Sequence, residues 1–231
     1  MKTVLMADPV RYPRMNTQEL RETFLVDGLH QAGAIQAAYV DVDRAIAGIA
    51  APLRAPLVLP TYPELRASFF TERRELGALN IGGPGVVHVG NRSYPLDNLD
   101  LIYIGRDNAD VRFESLSVQE PAVFYLLSYP AHAVHPVTLV RKDEAQPTEI
   151  GTQEACNRRT IYKYIHLAGA RSCQLVMGDA PAPGKRLEYH AGAYAYAPFR
   201  DLFLLRCCGE RAHLPFHGTT ARDPASAYGQ P

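Results

Sequence analysis

The chain has 231 residues, 47% of them hydrophobic and 21% charged, with 24 basic and 24 acidic side chains and a formal net charge of zero. That composition is globular, with material for one large domain or two small ones. Its scattered Lys and Arg favour neither nucleic acid nor an anionic membrane as partner. No run of about 18 apolar residues is present to span a bilayer. The start, MKTVLMADPVRYPR, has an apolar stretch too short for a secretory h-region, so a cytoplasmic location is expected. Cys156, Cys173, Cys207 and Cys208 lack metal spacing and read as ordinary thiols.

In chain order, Asn16 and Thr17 can cap a short helix, TQELRETFL, with Leu20 and Phe24 on one face. After Gly33 the pattern turns to strands. AIQAAYVDVD alternates in part, and LRAPLVLP is apolar but rich in proline, which suits an edge or a loop. GVVHV, LDLIYIG, VRFES and AVFYLLSY follow at short spacing, separated by the turn clusters GGPG, GNRS, GRDNAD and SVQEP. Short strands punctuated by Gly, Asn, Asp and Pro predict a β-sandwich or jelly roll. A Rossmann arrangement would need helices between them. The polar stretch VTLVRKDEAQPTEIGTQEA reads as a connection, after which RTIYKYIHL and CQLVMG begin a second strand-rich region. The expected organisation is a jelly-roll domain over 1–140, a linker and the start of a second domain over 141–184, and an irregular tail over 185–231.

Three segments carry candidate chemistry. In FFTERRELGALNIGGPG, Glu72, Arg73, Arg74 and Glu75 read as a solvated bend before a glycine-rich hairpin, or as an inter-subunit salt-bridge network. GGPG is no P-loop, because no Gly-Lys-Ser/Thr follows. In NRRTIYKYIH, Arg158, Arg159 and Lys163 are either a cationic loop entering a strand or a grip on a sugar carboxylate, for which Arg suits bidentate binding. His132 and His135 in PAHAVHP stand three apart at a strand end and would point to opposite faces, which reads as a polar loop pair. His190, His213 and His217 in the tail lack a strand scaffold to hold them.

In order and spacing, TQELRETFLV, FFTERRELGALNIGGPGVVHV, DLIYIGRDNADVRF, PAHAVHP, NRRTIYKYI and CQLVMG together resemble the 5-dehydro-4-deoxy-D-glucuronate isomerase family of pectin breakdown. These enzymes are also called 4-deoxy-L-threo-5-hexosulose-uronate ketol-isomerases. The likeness covers Thr17 to Gly184. It implies an all-β fold of two double-stranded β-helices (a bicupin, or double jelly roll), here with the second domain truncated. It also implies a hexamer, a uronate-derived keto sugar acid as substrate, and zinc held in the second domain by an H-x-H-x4-E motif and a later histidine.

This chain departs from that pattern after Gly184. No H-x-H-x4-E stands anywhere in it, so no metal ligand of the family can be carried over and no zinc is expected on the chain as written. One inserted base after the Gly184 codon would turn AGC GTC TGG into AAG CGT CTG, giving Lys185, Arg186 and Leu187. Read in the other frame, the same bases permit VWNTMPAHTHTRRFETYFYFDV, with the motif restored over the codons of Ala193 to Asp201. The rival explanation is a genuinely diverged C-terminus. The expectation is an isomerase by family, inactive as written and poorly soluble where missing strands leave sheet surface uncovered. The alternatives are a metal-free sugar-acid binding module and a structural subunit.

Overall fold

The computed structural model describes residues 1–152, 158–166 and 169–179. The expected tail over 185–231, with His190, His213, His217, Cys207 and Cys208, lies outside the described residues, as does Cys156.

Fourteen strands are formed among the described residues. They are β1 (Lys2–Val4), β2 (Ala34–Val40), β3 (Ala45–Ala51), β4 (Leu57–Val58), β5 (Arg74–Asn80), β6 (Gly85–Val89), β7 (Arg92–Leu96), β8 (Leu101–Ile104), β9 (Val111–Ser115), β10 (Phe124–Pro130), β11 (Thr138–Val140), β12 (Gln146–Ile150), β13 (Arg159–Ile165) and β14 (Met177–Asp179). One sheet has the order β1-β2-β3-β10-β5-β8-β11, a second β4-β9-β6-β7 and a third β12-β13-β14. From β3 to β10 the chain passes repeatedly between the first two sheets. The eight strands split as 3-10-5-8 and 4-9-6-7, which is the interleaving of a jelly roll. The expected all-β architecture is present.

Strand alternation explains the core between these two sheets. Val87 and Val89 of β6 and Val111 and Phe113 of β9 point inward, while His88 and Arg112 point out. They meet Ile46 and Ala50 of β3, Leu76 and Ala78 of β5, Ile102 and Ile104 of β8, and Phe124 and Leu126 of β10. Phe113 and Phe124 pack with ring centroids 5.2 Å apart.

The large sheet is buried on its other face too. Leu79, Leu101, Tyr103 and Leu127 form a second cluster with Tyr164, Ile165, Leu175 and Met177 from the third-sheet region. Gly77 makes this approach possible, since a Cβ there would overlap Sδ of Met177 and touch Cδ2 of Leu175. The Tyr164 hydroxyl donates to the Leu99 carbonyl at 2.7 Å. The Asp100 carboxylate, also buried, accepts from Arg141 Nη1 at 2.6 Å and from the amide of Lys142 at 2.9 Å.

Several expectations are met and others corrected. Asn16 and Glu19 form a reciprocal capping box on α1 (Thr17–Phe24), and LRAPLVLP supplies only the edge strand β4. The expected bend at ERRELG holds for Glu72 and Arg73, but Arg74 and Glu75 instead open β5, a central strand buried throughout. A strand covered on both faces shows no polar alternation, which hides it in the sequence. AIAGIAA forms β3 although Ala and Gly are weak strand formers. The GNRS turn gives way to β7 already at Arg92, and the polar connection contains β11 and β12.

GGPG is organised by one side chain. Asn80 Nδ2 donates to the carbonyls of Gly83 (2.8 Å), Leu96 (3.1 Å) and Asp97 (3.2 Å), and its Oδ1 accepts from the Gly82 amide (3.1 Å). Asn80 is fully buried, so removing it strands several backbone groups at once. Asn80→Ala is expected to lower folding stability by about 2–3 kcal/mol, measured by urea denaturation.

Candidate functional site

The interior of the jelly roll is the first place to look for a site, and it is filled. Its lining is Val, Leu, Ile, Phe and Ala. Among the described residues no group of three or more His, Cys, Asp or Glu side chains could hold a metal ion. Among the described residues, then, no donor set fits the zinc that the resemblance implies, and the sequence contains no H-x-H pair. His132 and His135 lie in the irregular segment after β10, with His132 exposed.

The sequence candidates fall on and beside β13. Arg159 opens the strand and Lys163 stands four residues on, so the pleat puts both on one face, about 13 Å apart along the strand. Ile161 lies between them, buried, whereas Tyr162 and Tyr164 of the opposite face pack toward the large sheet. Arg158 precedes the strand, exposed, with Nη2 3.1 Å from Glu149 Oε2. The structure thus brings Arg159 and Lys163 onto a common surface and directs Arg158 to an ion pair with β12.

What positions this surface is a residue that reads from sequence as part of a charged tetrad. The pleat of β5 sends Arg74 and Glu75 to opposite faces. Glu75 points to the third-sheet side and is completely buried. Its Oε1 accepts from the amides of Gln174 (2.7 Å) and Leu175 (2.6 Å). Its Oε2 accepts from the amide of Cys173 (2.7 Å) and from the Tyr103 hydroxyl (2.9 Å). Three successive amides converging on a carboxylate form an anion nest, which offsets the cost of burying the charge. Burial, and then the charge of Glu75, push the Tyr103 phenol well above its ordinary pKa, so Tyr103 stays a donor. Cys173, a free thiol, adds a contact to Ala133: its Sγ accepts from the Ala133 amide at 3.3 Å.

Glu72 and Arg73 behave differently. They pair with each other at 3.1 Å in the bend before β5, so the tetrad divides into a surface pair and two residues buried separately. Within the chain, Arg74 and Glu75 share no ion pair with Glu72 and Arg73.

Taken together, the strand order defines an all-β jelly-roll protein with an additional sheet docked on its large sheet through a buried carboxylate. The family model described as KduI/IolB matches residues 29–187, and the chain belongs to that family. Relatives named 4-deoxy-L-threo-5-hexosulose-uronate ketol-isomerase include those of Shouchella clausii, 44% identical over 74% of this chain and 62% of its own length, and Opitutus terrae, 44% identical over 77% and 65%. That of Bacillus subtilis is 42% identical over 74% and 62%. The chain therefore matches less than two thirds of the length of these relatives. Among solved structures, an IolB-like protein from Salmonella typhimurium aligns with 52% of this chain and 43% of its own at 13% identity and a TM-score of 0.41. A cupin protein from Bacteroides fragilis aligns with 49% and 93% at 17% identity and a TM-score of 0.29.

Glu75→Gln places an NH2 group among donors. It is expected to cost about 2–4 kcal/mol of stability and to speed amide exchange at Cys173, Gln174 and Leu175, read by hydrogen–deuterium exchange. The control Glu72→Gln, in the bend before β5, keeps an oxygen to accept from the Ser68 amide and should stay within about 0.5 kcal/mol of the parent.

Proposed function

We propose that this chain represents a 4-deoxy-L-threo-5-hexosulose-uronate ketol-isomerase whose catalytic half is lost after Gly184, leaving a scaffold without turnover. The observation that carries the reading is the run of similarity itself. It holds through both the jelly roll and β13, then stops at residue 187, next to the point where the strand pattern breaks down. The three-stranded sheet is, in this reading, the beginning of a second jelly roll, and the protein is a cytoplasmic homo-oligomer, hexameric as the resemblance implies. No helix among the described residues is long and apolar enough to cross a membrane.

A ketol-isomerase exchanges a carbonyl and a hydroxyl between neighbouring carbons. A base takes the proton from the carbon next to the carbonyl, an enediol forms, and a proton returns to the other carbon. The developing oxyanion needs positive charge or preorganised donors. None of the described residues is assigned as that base. What β13 can contribute is orientation: Arg159 and Lys163 share the face away from the jelly roll and suit the carboxylate of a sugar acid. That placement also favours a second reading, in which the chain binds a uronate without converting it.

Two measurements test the first reading. The chain as written should show no isomerase activity above background. A version with one base removed after the Gly184 codon and the gene extended in that frame should gain activity and retain zinc through gel filtration, measured by elemental analysis. In that version Arg159→Ala should raise KM about tenfold or more with a smaller change in kcat, as expected for a lost charge-assisted contact. An active chain as written, or a frame-corrected protein without zinc, would overturn the proposal.

A further inference from the structure

We propose that the mouth of the jelly roll is a second anion site, built around Arg74 and Arg44, that takes the carboxylate of a small sugar acid. It lies on the face of the large sheet opposite to the docked third sheet and is independent of Arg159 and Lys163.

Arg74 is the reason. The same pleat that sends Glu75 to one side sends Arg74 toward the jelly-roll side, where it is 7% exposed. Its Nε donates to Ser128 Oγ at 3.1 Å, and Nη2 to the carbonyls of Ser128 (2.9 Å) and Arg44 (2.7 Å). All these acceptors are neutral. Among the described residues no carboxylate pairs with Arg74, although a buried cation is ordinarily paired. Burial accordingly pulls its pKa down to about 10, and neighbouring Arg44 adds to that while Tyr39 and Tyr129 oppose it. Buried cations of this kind gain most from an incoming anion, because the desolvation cost is already met in the folded protein.

A cleft of about 200 Å³ opens beside it, lined by Arg44, Arg73, Tyr39, Phe70 and Leu65 among others. Pockets for drug-sized ligands run to roughly 300–1,000 Å³, so the occupant is small. Arg44 is exposed, and among the described residues its guanidinium makes no hydrogen bond or ion pair, which leaves a planar donor fork for a carboxylate. Phe70 belongs to the hydrophobic core and gives the cleft an apolar floor, suited to a carbon skeleton. The acid in the wall, Glu64, lies 3.7 Å from the Met1 ammonium nitrogen, which offsets its charge. Arg44 and its neighbour Asp43 hold φ values of 54° and 52°, and Arg66, whose carbonyl accepts from Arg73, holds 47°. Left-handed backbone at non-glycine residues is costly and gathers at binding sites, where the surroundings enforce it.

The test is calorimetric titration of the full chain with D-glucuronate and, separately, with inorganic phosphate. In an Arg159→Ala background, which removes any contribution from β13, D-glucuronate should still bind, Arg44→Ala should weaken that binding about tenfold or more, and Arg92→Ala at an exposed position of β7 should leave it unchanged. The Nε–H resonance of Arg74 should shift on titration in the parent protein, a readout that needs no substitution of this buried residue. Three results would overturn the proposal: no binding of D-glucuronate, binding that Arg44→Ala leaves intact, or phosphate binding as tightly as D-glucuronate. Loss of binding in Arg159→Ala alone would assign the uronate to β13 and likewise reject the cleft.

Discussion

The docking of the third sheet depends on a single buried charge. Among the described residues no cation pairs with Glu75, which is accommodated by four hydrogen bonds, three of them from one short stretch of backbone. Such a nest is directional in a way that apolar packing is not, because only one placement of residues 173–175 satisfies both carboxylate oxygens. Leu175 and Met177 then settle over Gly77, and Tyr164 reaches Leu99. The apolar contacts supply most of the burial, while the carboxylate sets the register in which they form.

The alternation of one strand thus serves two unrelated ends. Adjacent residues of opposite charge on β5 face apart, so Arg74 and Glu75 never neutralise each other. Each is handled by its own surroundings: Glu75 by amides, Arg74 by carbonyls and a hydroxyl. The difference between them lies in access. Glu75 is wholly enclosed, and Arg74 stands at an opening.

Four strands of the jelly roll, β6, β8, β9 and β10, are legible in the sequence. β6 and β9 alternate apolar and polar because one face meets the core and the other meets water, and that pattern is visible in GVVHV and VRFES. β5 carries Arg74, Glu75, Gly77 and Asn80 at buried positions; the partners of Arg74 and Glu75 lie tens of residues away, and nothing local in ERRELGALN announces them. β3 fails differently, since its small residues fit between neighbouring strands and have little intrinsic strand preference. For the site, the cationic residues around β13 were visible by type, but the ion pair of Arg158 with Glu149 arises from strand pairing that spacing does not reveal. Arg44 carried no signal at all, because its significance comes from lying next to Arg74, thirty residues away.

The same separation in sequence has a consequence for synthesis. The amides that surround Glu75 lie 98 to 100 residues after it. At translation rates of about 5–20 residues per second, a nascent chain carries Glu75 and the bare groove at Gly77 for roughly 5–20 seconds before their covering segment is made. Once β8, β10 and β11 are made, Leu79, Leu101, Tyr103 and Leu127 surround Glu75 on a face that waits for residues 173–177 to cover it.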